Sequence, residues 1–348
     1  MGRDRGTGEV LGLDHGVAPV ALCRGAEQVA APGVTRVGRG PGVRVDQIAT
    51  QSVIACIVNQ RARSNAAAQL AERVAELFRA HGVRVETIVI EDGSQLLPVA
   101  RRFARNGKGI VVAAGGDGTV SAVASAIVGT QATLGVLPLG TLNHFAKDMG
   151  IPLDLDAAVE NIIHGVPKLV DVGEVNERIF VNNSSIGLYP AIVQQRSRHQ
   201  SRGMSKWAAF ARAIYTVLRR MPHFHATVRA DGRYDGRDRT PFIFVGNNPY
   251  QTNGLQIGER QRLDTGRLWV CRAPDADRLT LMWMAFRALF GRTAPGELKV
   301  NEVEELWVQT RKNRRIKLAN DGEVFATRSP LHYRILPLAL RVLVPAQS

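Results

Sequence analysis

The 348-residue chain predicts a three-layer α/β domain followed by an antiparallel β-sandwich. Three observations carry that expectation. In the first half, β-branched runs alternate with amphipathic segments, the signature of a parallel sheet with right-handed helical crossovers. Two of those runs end in glycine-containing turns that restart as helices, at 109–128 and 134–152. After Pro152 the character changes to short β-type segments punctuated by Asp-Gly and Lys-Asn signals, which favour antiparallel hairpins.

The elements follow in order. Residues 1–50 are rich in Gly, Val and Arg with no sustained period and read as a flexible extension. The ordered chain begins near Val53, where VIACIVN suits a buried strand, and an amphipathic helix over 65–81 stops at Gly82. VRVETIVI then reads as strand, QLLPVARRFARNG as helix, and IVVAA as a central strand. LGVLP repeats the strand pattern, and a helix over 155–164 closes this half. The second half offers PKLVDVGEVNERIFVNNSSIG, HATVRADGRYDGRDRTPFIFVGN, GRLWVCRA and ELKVNEVEELWVQTRKNRRIKLANDGEVF as β segments. Its expected turns are Asp231-Gly232, Asp235-Gly236 and Lys312-Asn313. The domains are therefore placed at 51–168 and 169–330, with 331–348 returning to complete the first.

The chemistry-bearing stretch is GIVVAAGGDGTVSAVASAIV. A helix beginning after a glycine turn exposes backbone N–H groups that its own hydrogen bonds cannot use, and its dipole adds attraction for an anion. Gly115, Gly116 and Gly118 let the backbone approach a phosphate, Asp117 could orient an N–H, a ribose hydroxyl or Mg²⁺, and Thr119 could cap the helix or bind phosphate. An ordinary glycine-rich strand-to-helix turn is the alternative on this motif alone. The second segment, LGVLPLGTLNHFAKDMGIP, lets two adjacent strand ends line one crevice, where open parallel sheets bind ligands.

Together, GGDGT and PLGTLNHFAKD resemble the diacylglycerol kinase catalytic domain family, which includes bacterial lipid kinases, sphingosine kinases and ceramide kinases. Asp321-Gly322-Glu323 matches the family's DGE signature, FVNNSSIGLYP resembles the opening of its second domain, and YRILPLALRVLVP its closing strand. The resemblance spans roughly residues 51 to 346. It implies an N-terminal α/β nucleotide-binding domain like that of NAD kinases and phosphofructokinases, and a β-sandwich lipid-binding domain. It also implies an ATP- and Mg²⁺-dependent kinase that phosphorylates a lipid hydroxyl, diacylglycerol or a related lipid. Asp321 is then the base and Glu323 its neighbour in the catalytic signature. Asn59, Gly115 to Thr119 and Thr141 hold the nucleotide, Asn143 braces the two loops, and Asp117 places the metal through the phosphates. Asp264, in Asp264-Thr265-Gly266, is the candidate for a second Mg²⁺ site. The plain alternative for Asp321 is an Asp-Gly hairpin turn.

Departures from the family pattern are equally specific. Asn59 is kept, but the following Gln60 to Ser64 lacks the family's proline and glycine. Ser121-Ala122 stands in place of an Asn-Glu pair, His144 in place of an aspartate, and Ile90 in place of a threonine. Either metal and nucleotide are held differently, or activity is reduced. A NAD-kinase-like enzyme with a soluble acceptor and a weakly active, regulatory nucleotide-binding relative are the rival readings.

Composition bounds the setting. Cys23, Cys56 and Cys271 lack CxxC spacing and read as free thiols in a reducing cytoplasm. No stretch reaches the ~18 apolar residues of a membrane-spanning helix. The N-terminus lacks a signal peptide's apolar core, so secretion is not expected. The net charge of +14 asks for an anionic partner. MSKWAAFARAIYTVLRRMPHF places Trp207, Phe210, Ile214, Val217 and Leu218 at helical spacing beside Lys206, Arg212, Arg219 and Arg220. With RLTLMWMAFRALFGR it predicts peripheral contact with an anionic membrane surface; packing on the sandwich is the alternative. No nucleic-acid reader motif accompanies the charge, so nucleic acid is not the expected partner. No GxSxG, Walker A or GxGxxG motif appears, which sets aside hydrolase, P-loop and dehydrogenase readings. A homodimer is compatible with the resemblance.

Overall fold

A computed structural model describes residues 54–59, 64–105, 109–187, 223–251, 259–275, 298–310 and 315–346, together with residues 190 and 280. The segments 1–50, 204–222 and 281–292, on which the extension and most of the two basic apolar helices were expected, lie outside the described residues, as does Lys312-Asn313. No helix among the described residues is long and apolar enough to cross a membrane.

The first half is the expected parallel sheet. Strands β1 (Ile54–Asn59), β2 (Val85–Ile90), β3 (Ile110–Gly115) and β4 (Thr133–Pro138) lie in the order β2-β1-β3-β4. β3 is buried at every position, as its unbroken apolar run requires of a strand covered on both faces. The helices are α1 (Ser64–Ala80), α2 (Leu96–Ala104), α3 (Asp117–Ile127), α4 (His144–Asp148) and α5 (Leu155–His164). Side chains alternate across a strand, so β1 sends Ile54, Cys56 and Val58 to one face and Ala55 and Ile57 to the other. The first set packs against Val74 and Phe78 of α1 and Ile162 of α5. The second packs against Ala100 and Phe103 of α2 and Val123 and Ile127 of α3. Burial pushes the Cys56 thiol up to about 12, so it stays an unreactive core residue.

The second half comprises β5 (Val166–Val175), β6 (Arg178–Phe180), β7 (Asn183–Gly187), β8 (Phe224–Ala230), β9 (Arg233–Thr240), β10 (Phe242–Asn247), β11 (Leu268–Arg272), β12 (Lys299–Val303), β13 (Glu305–Thr310), β14 (Arg315–Asn320), β15 (Glu323–Arg328) and β16 (Leu331–Val344). Six of these form a second, antiparallel sheet in the order β12-β11-β10-β7-β14-β15. The others continue the first sheet through β16, β13, β8 and β9, with β5 and β6 alongside. Val228, Leu306 and Tyr333 from one sheet meet Val245, Val270 and Leu318 from the other, giving the apolar core of a sandwich. Asp231-Gly232 makes the expected hairpin turn, with φ of 47° and 75°. Asp235-Gly236 does not. Val228 pairs with Gly236 and Arg229 with Tyr234, so Asp235 is the extra residue of a β-bulge inside β9. Its carboxylate accepts from the buried Arg272 at 2.5 Å instead of closing a turn.

One strand joins the two halves. The first part of β16 pairs with β13 and the end of β5, and its last residues pair with β4 and the start of β5. Between them the register shifts from Leu336 to Leu340, and Asp171, buried at 1% exposure, accepts the N–H of Leu338 at 2.9 Å. A second joint is a buried guanidinium. Arg260, 3% exposed, pairs with Asp148 at the end of α4 through Nη2 at 2.6 Å and Nε at 2.8 Å. It also donates to the carbonyls of Val181 and Asn247 at 2.7 and 3.0 Å, and to Asn182 Oδ1 at 2.7 Å. A buried charge left without its partner is far costlier than the net worth of the pair. Arg260→Met, which abandons Asp148, is therefore expected to cost about 3–5 kcal/mol of stability. Urea unfolding checks this, and a loss below ~1 kcal/mol would remove Arg260 from this structural role.

Candidate active site

The parallel strands β1, β3 and β4 end side by side, and the loops after β3 and β4 form one rim. β3 ends at Gly115, and α3 starts at once with Gly116 as an extended N-cap that makes no side-chain hydrogen bond. Thr119 therefore does not cap the helix. It sits buried inside the first turns and accepts a hydrogen bond from Asn59 Nδ2 at 2.9 Å, which ties the end of β1 to α3. The first N–H groups of α3, those of Asp117 and Gly118, have no acceptor within the helix and point out of its N-terminus.

The second loop comes close. A Cβ on Gly140 would stand 2.6 Å from the Gly116 Cα and 2.6 Å from Asn143 Oδ1, so backbone approaches backbone here as only glycine allows. Leu139 N–H donates to Gly115 O at 2.9 Å. Asn143 was expected to brace the two loops, but its side chain closes its own: Oδ1 accepts from Gly140 N–H at 3.0 Å, and Nδ2 donates to Pro138 O and Gly140 O at 3.2 and 3.0 Å. It does so in the left-handed region, with φ 50°, a conformation that Asn tolerates. The side-chain bridge is Asp117, whose Oδ1 accepts the Phe145 N–H of α4 at 3.1 Å. Thr141 and His144 are exposed on this loop, and Ile90 is buried at the end of β2.

Asp321 reaches this rim from the other half of the chain. It occupies a two-residue hairpin turn between β14 and β15 with Gly322, φ 47° and 86°. The hairpin turn is therefore present, and it is this turn that carries Asp321 to the rim. Oδ1 accepts the N–H groups of Asn182 at 2.8 Å and Asn183 at 3.0 Å, and Oδ2 accepts Val181 N–H at 2.8 Å and Ser121 Oγ at 2.6 Å. Burial pushes this carboxyl above the ordinary carboxylate range, while the Ser121 hydroxyl and the three N–H groups pull it back without cancelling the effect. Glu323 is exposed, and its Oε1 lies 3.4 Å from where a Cβ on Gly118 would stand. The DGE turn therefore docks along α3.

Asp264 joins none of these contacts. Its carboxylate is held by Arg262 Nε at 2.9 Å, an ion pair that also keeps its pKa below the ordinary range. This turn therefore holds an arginine–carboxylate pair at the surface. Among the described residues no three His, Cys, Asp or Glu side chains cluster as a metal site would require. Asp117 is different: only Oδ1 is committed, and among the described residues Oδ2 accepts no hydrogen bond.

Sequence reasoning missed the frame behind Asp321. The Val181–Asn183 segment is fixed by Arg260, by Asn247, whose Nδ2 donates to Val181 O at 3.0 Å, and by Tyr250, whose hydroxyl donates to Asn182 O at 3.1 Å. The polar runs VNN and GNN at the ends of apolar strands were the available signal.

The fold is shared with known proteins. The diacylglycerol kinase catalytic domain model matches residues 53–175, and the model of a YegS C-terminal NAD kinase beta sandwich-like domain matches 185–344. A probable lipid kinase YegS-like protein of Pseudomonas aeruginosa is 31% identical over 304 residues, covering 83% of this chain and 91% of that protein. Probable lipid kinase YegS of Escherichia fergusonii is 27% identical, with coverages of 83% and 95%. Among solved structures, a putative diacylglycerol kinase from Bacillus anthracis superposes with a TM-score of 0.67 at 19% identity, over 84% of this chain and 97% of that one, and shows the fold. The matched models, the near full-length likeness to the Pseudomonas protein and the joined GGDGT, GTLNHFA and DGE loops show that this chain belongs to the diacylglycerol kinase catalytic domain family of lipid kinases.

Proposed function

We propose that this chain transfers the γ-phosphate of ATP to the hydroxyl of a membrane lipid, diacylglycerol or a close relative, with Asp321 as general base. The observation that carries this reading is the docking of the DGE turn on α3, which brings a half-buried carboxylate to the second turn of the helix whose N-terminus opens on the phosphate loop. The N–H groups of Asp117 and Gly118 would receive phosphate oxygens, aided by the dipole of an eleven-residue helix. Gly116 and Gly140 keep the floor of the site free of side-chain atoms. Thr141, exposed on the second loop, would add a hydroxyl donor.

A divalent cation held through the phosphates would neutralise the charge that develops on the transferring group. Asp117 would face it through Oδ2 while Oδ1 keeps α4 in place. In the transfer, the lipid oxygen forms its bond to the γ-phosphorus as the bond from that phosphorus to the bridging oxygen breaks, and the lipid's proton goes to Asp321. A carboxyl raised by burial suits that task, since a base works best with a pKa near the working pH. Contact with an anionic membrane and a homodimeric state belong to the same proposal. The motif evidence for the former is the basic apolar segments of the sequence, and the latter rests on the family resemblance.

Four outcomes follow. With ATP and Mg²⁺, dioctanoylglycerol or another hydroxyl lipid in mixed micelles should accept labelled phosphate, whereas NAD and free sugars should not. Labelling confined to soluble acceptors would overturn the lipid reading. Asp321→Asn should lower kcat by about 10²-fold to 10⁴-fold while ATP affinity changes little. Because the base acts deprotonated, activity should fall as pH drops through the raised Asp321 pKa, so the acid limb of kcat should lie above the ordinary carboxylate range. Gly140→Ala should raise the KM for ATP by about tenfold, the effect of ~1.4 kcal/mol, because the new methyl must displace Gly116 or Asn143.

A further inference from the structure

The geometry points to Ser121 as a proton relay between the acceptor hydroxyl and Asp321, a role that deepens the proposed lipid kinase reaction and rests on Asp321 being its base. A carboxylate has about four hydrogen-bonding directions. Asp321 has four donors: three backbone N–H groups and the Ser121 hydroxyl. The backbone donors belong to a segment pinned by Arg260, Asn247 and Tyr250, so they cannot yield to an incoming alcohol. Ser121 alone can turn or pass on its proton.

Its placement is unusual for a serine within a helix. Such a hydroxyl ordinarily bonds the carbonyl four residues back, and Ser125 does this, donating to Ser121 O at 2.8 Å. Ser121 instead donates to a carboxylate 200 residues away at 2.6 Å. It sits one turn along α3 from Asp117 and on the same face, between the phosphate-facing helix end and the base. Ser121 is half-buried, and among the described residues no donor reaches its Oγ, which therefore keeps lone pairs for an incoming hydroxyl.

The step balances. The acceptor O–H gives its proton to Ser121 Oγ as its oxygen bonds the γ-phosphorus, Ser121 gives its own proton to Asp321 Oδ2, and the bridging oxygen leaves with the β-phosphate. Ser121 ends as a neutral hydroxyl and Asp321 as a carboxylic acid, which returns its proton to solvent after product release.

The test measures single turnover with ATP, Mg²⁺ and whichever of dioctanoylglycerol, sphingosine or dihexanoyl phosphatidylglycerol the wild type phosphorylates fastest. Ser121→Ala should slow turnover by about 10- to 100-fold, part of the general-base effect, with the KM for ATP unchanged. Ser121→Thr, which keeps a hydroxyl, should recover most of the rate. In H2O/D2O mixtures the wild type should give a bowed rate plot, two protons moving together, and Ser121→Ala a straight one. A straight wild-type plot, which needs no variant to fold, overturns the relay. So does a fully active Ser121→Ala beside an inactive Asp321→Asn, an outcome that leaves the base in place. Activity retained by Asp321→Asn, or no phosphorylation of any of the three lipids, overturns the proposed reaction and the relay with it.

Discussion

Three backbone N–H groups from one short segment hold the carboxylate of Asp321, and that segment is itself held by the buried guanidinium of Arg260. The arrangement solves a problem of charge. A carboxylate enclosed by protein loses its hydration, and donors that do not move must replace it. The connection between β6 and β7 supplies them, and Arg260 anchors that connection by taking the carbonyl of Val181 and the side chain of Asn182. Because Arg260 also pairs with Asp148, the same side chain ties the Asp321 cradle to α4, the short helix that follows directly on the second loop. The two loops and the candidate base are thereby fixed relative to one another by polar contacts that are at least partly buried.

Electrostatics and packing divide the work between them. Burial raises the Asp321 carboxyl, and its four donors oppose that rise; the balance favours burial. A carboxylate with the same donors in open water would be held low instead. The sandwich therefore does more than carry Asp321 to the rim: it takes away part of the water around its carboxylate. The single strand β16, shared by both halves of the long sheet, makes that position reproducible, since a shift of the sandwich would have to break its pairing with β5 along most of its length.

How much of this could be read from the chain depends on the range of the interaction. The runs IACIVN, IVVAAG and TLGVLP are local statements about burial on two faces, and each became a parallel strand as read. The glycine turn and the helix after it are local too, although α3 begins at Asp117, two residues before the threonine. Asp235-Gly236 misled because the dipeptide favours turns locally, whereas the pairing of β8 with β9 continues past it and absorbs the extra residue as a bulge. Arg260 and Asp148 left no local trace, since a buried pair 112 residues apart is defined only by the folded chain. The bridge between the loops went to the wrong residue for a related reason. Asn143 and Asp117 are both short polar side chains beside glycines, and only the αL backbone of Asn143 turns its amide inward onto its own loop.

The three departures from the family pattern near the phosphate loop are not equivalent. His144 opens α4 in an exposed position, and it is the N–H of its neighbour Phe145 that meets Asp117. Ala122 is a small, half-buried residue packed against the apolar cluster beneath α3, where a glutamate would have to find a partner or reach solvent. Of the three, Ser121 alone touches the candidate base. A longer amide at that position would carry its donor farther from the helix backbone. A serine places a hydroxyl, able both to give and to receive a proton, directly against the Asp321 oxygen. Ser121 therefore stands where the proposed chemistry is most sensitive, with a group that can exchange protons with a carboxylate as well as hold it.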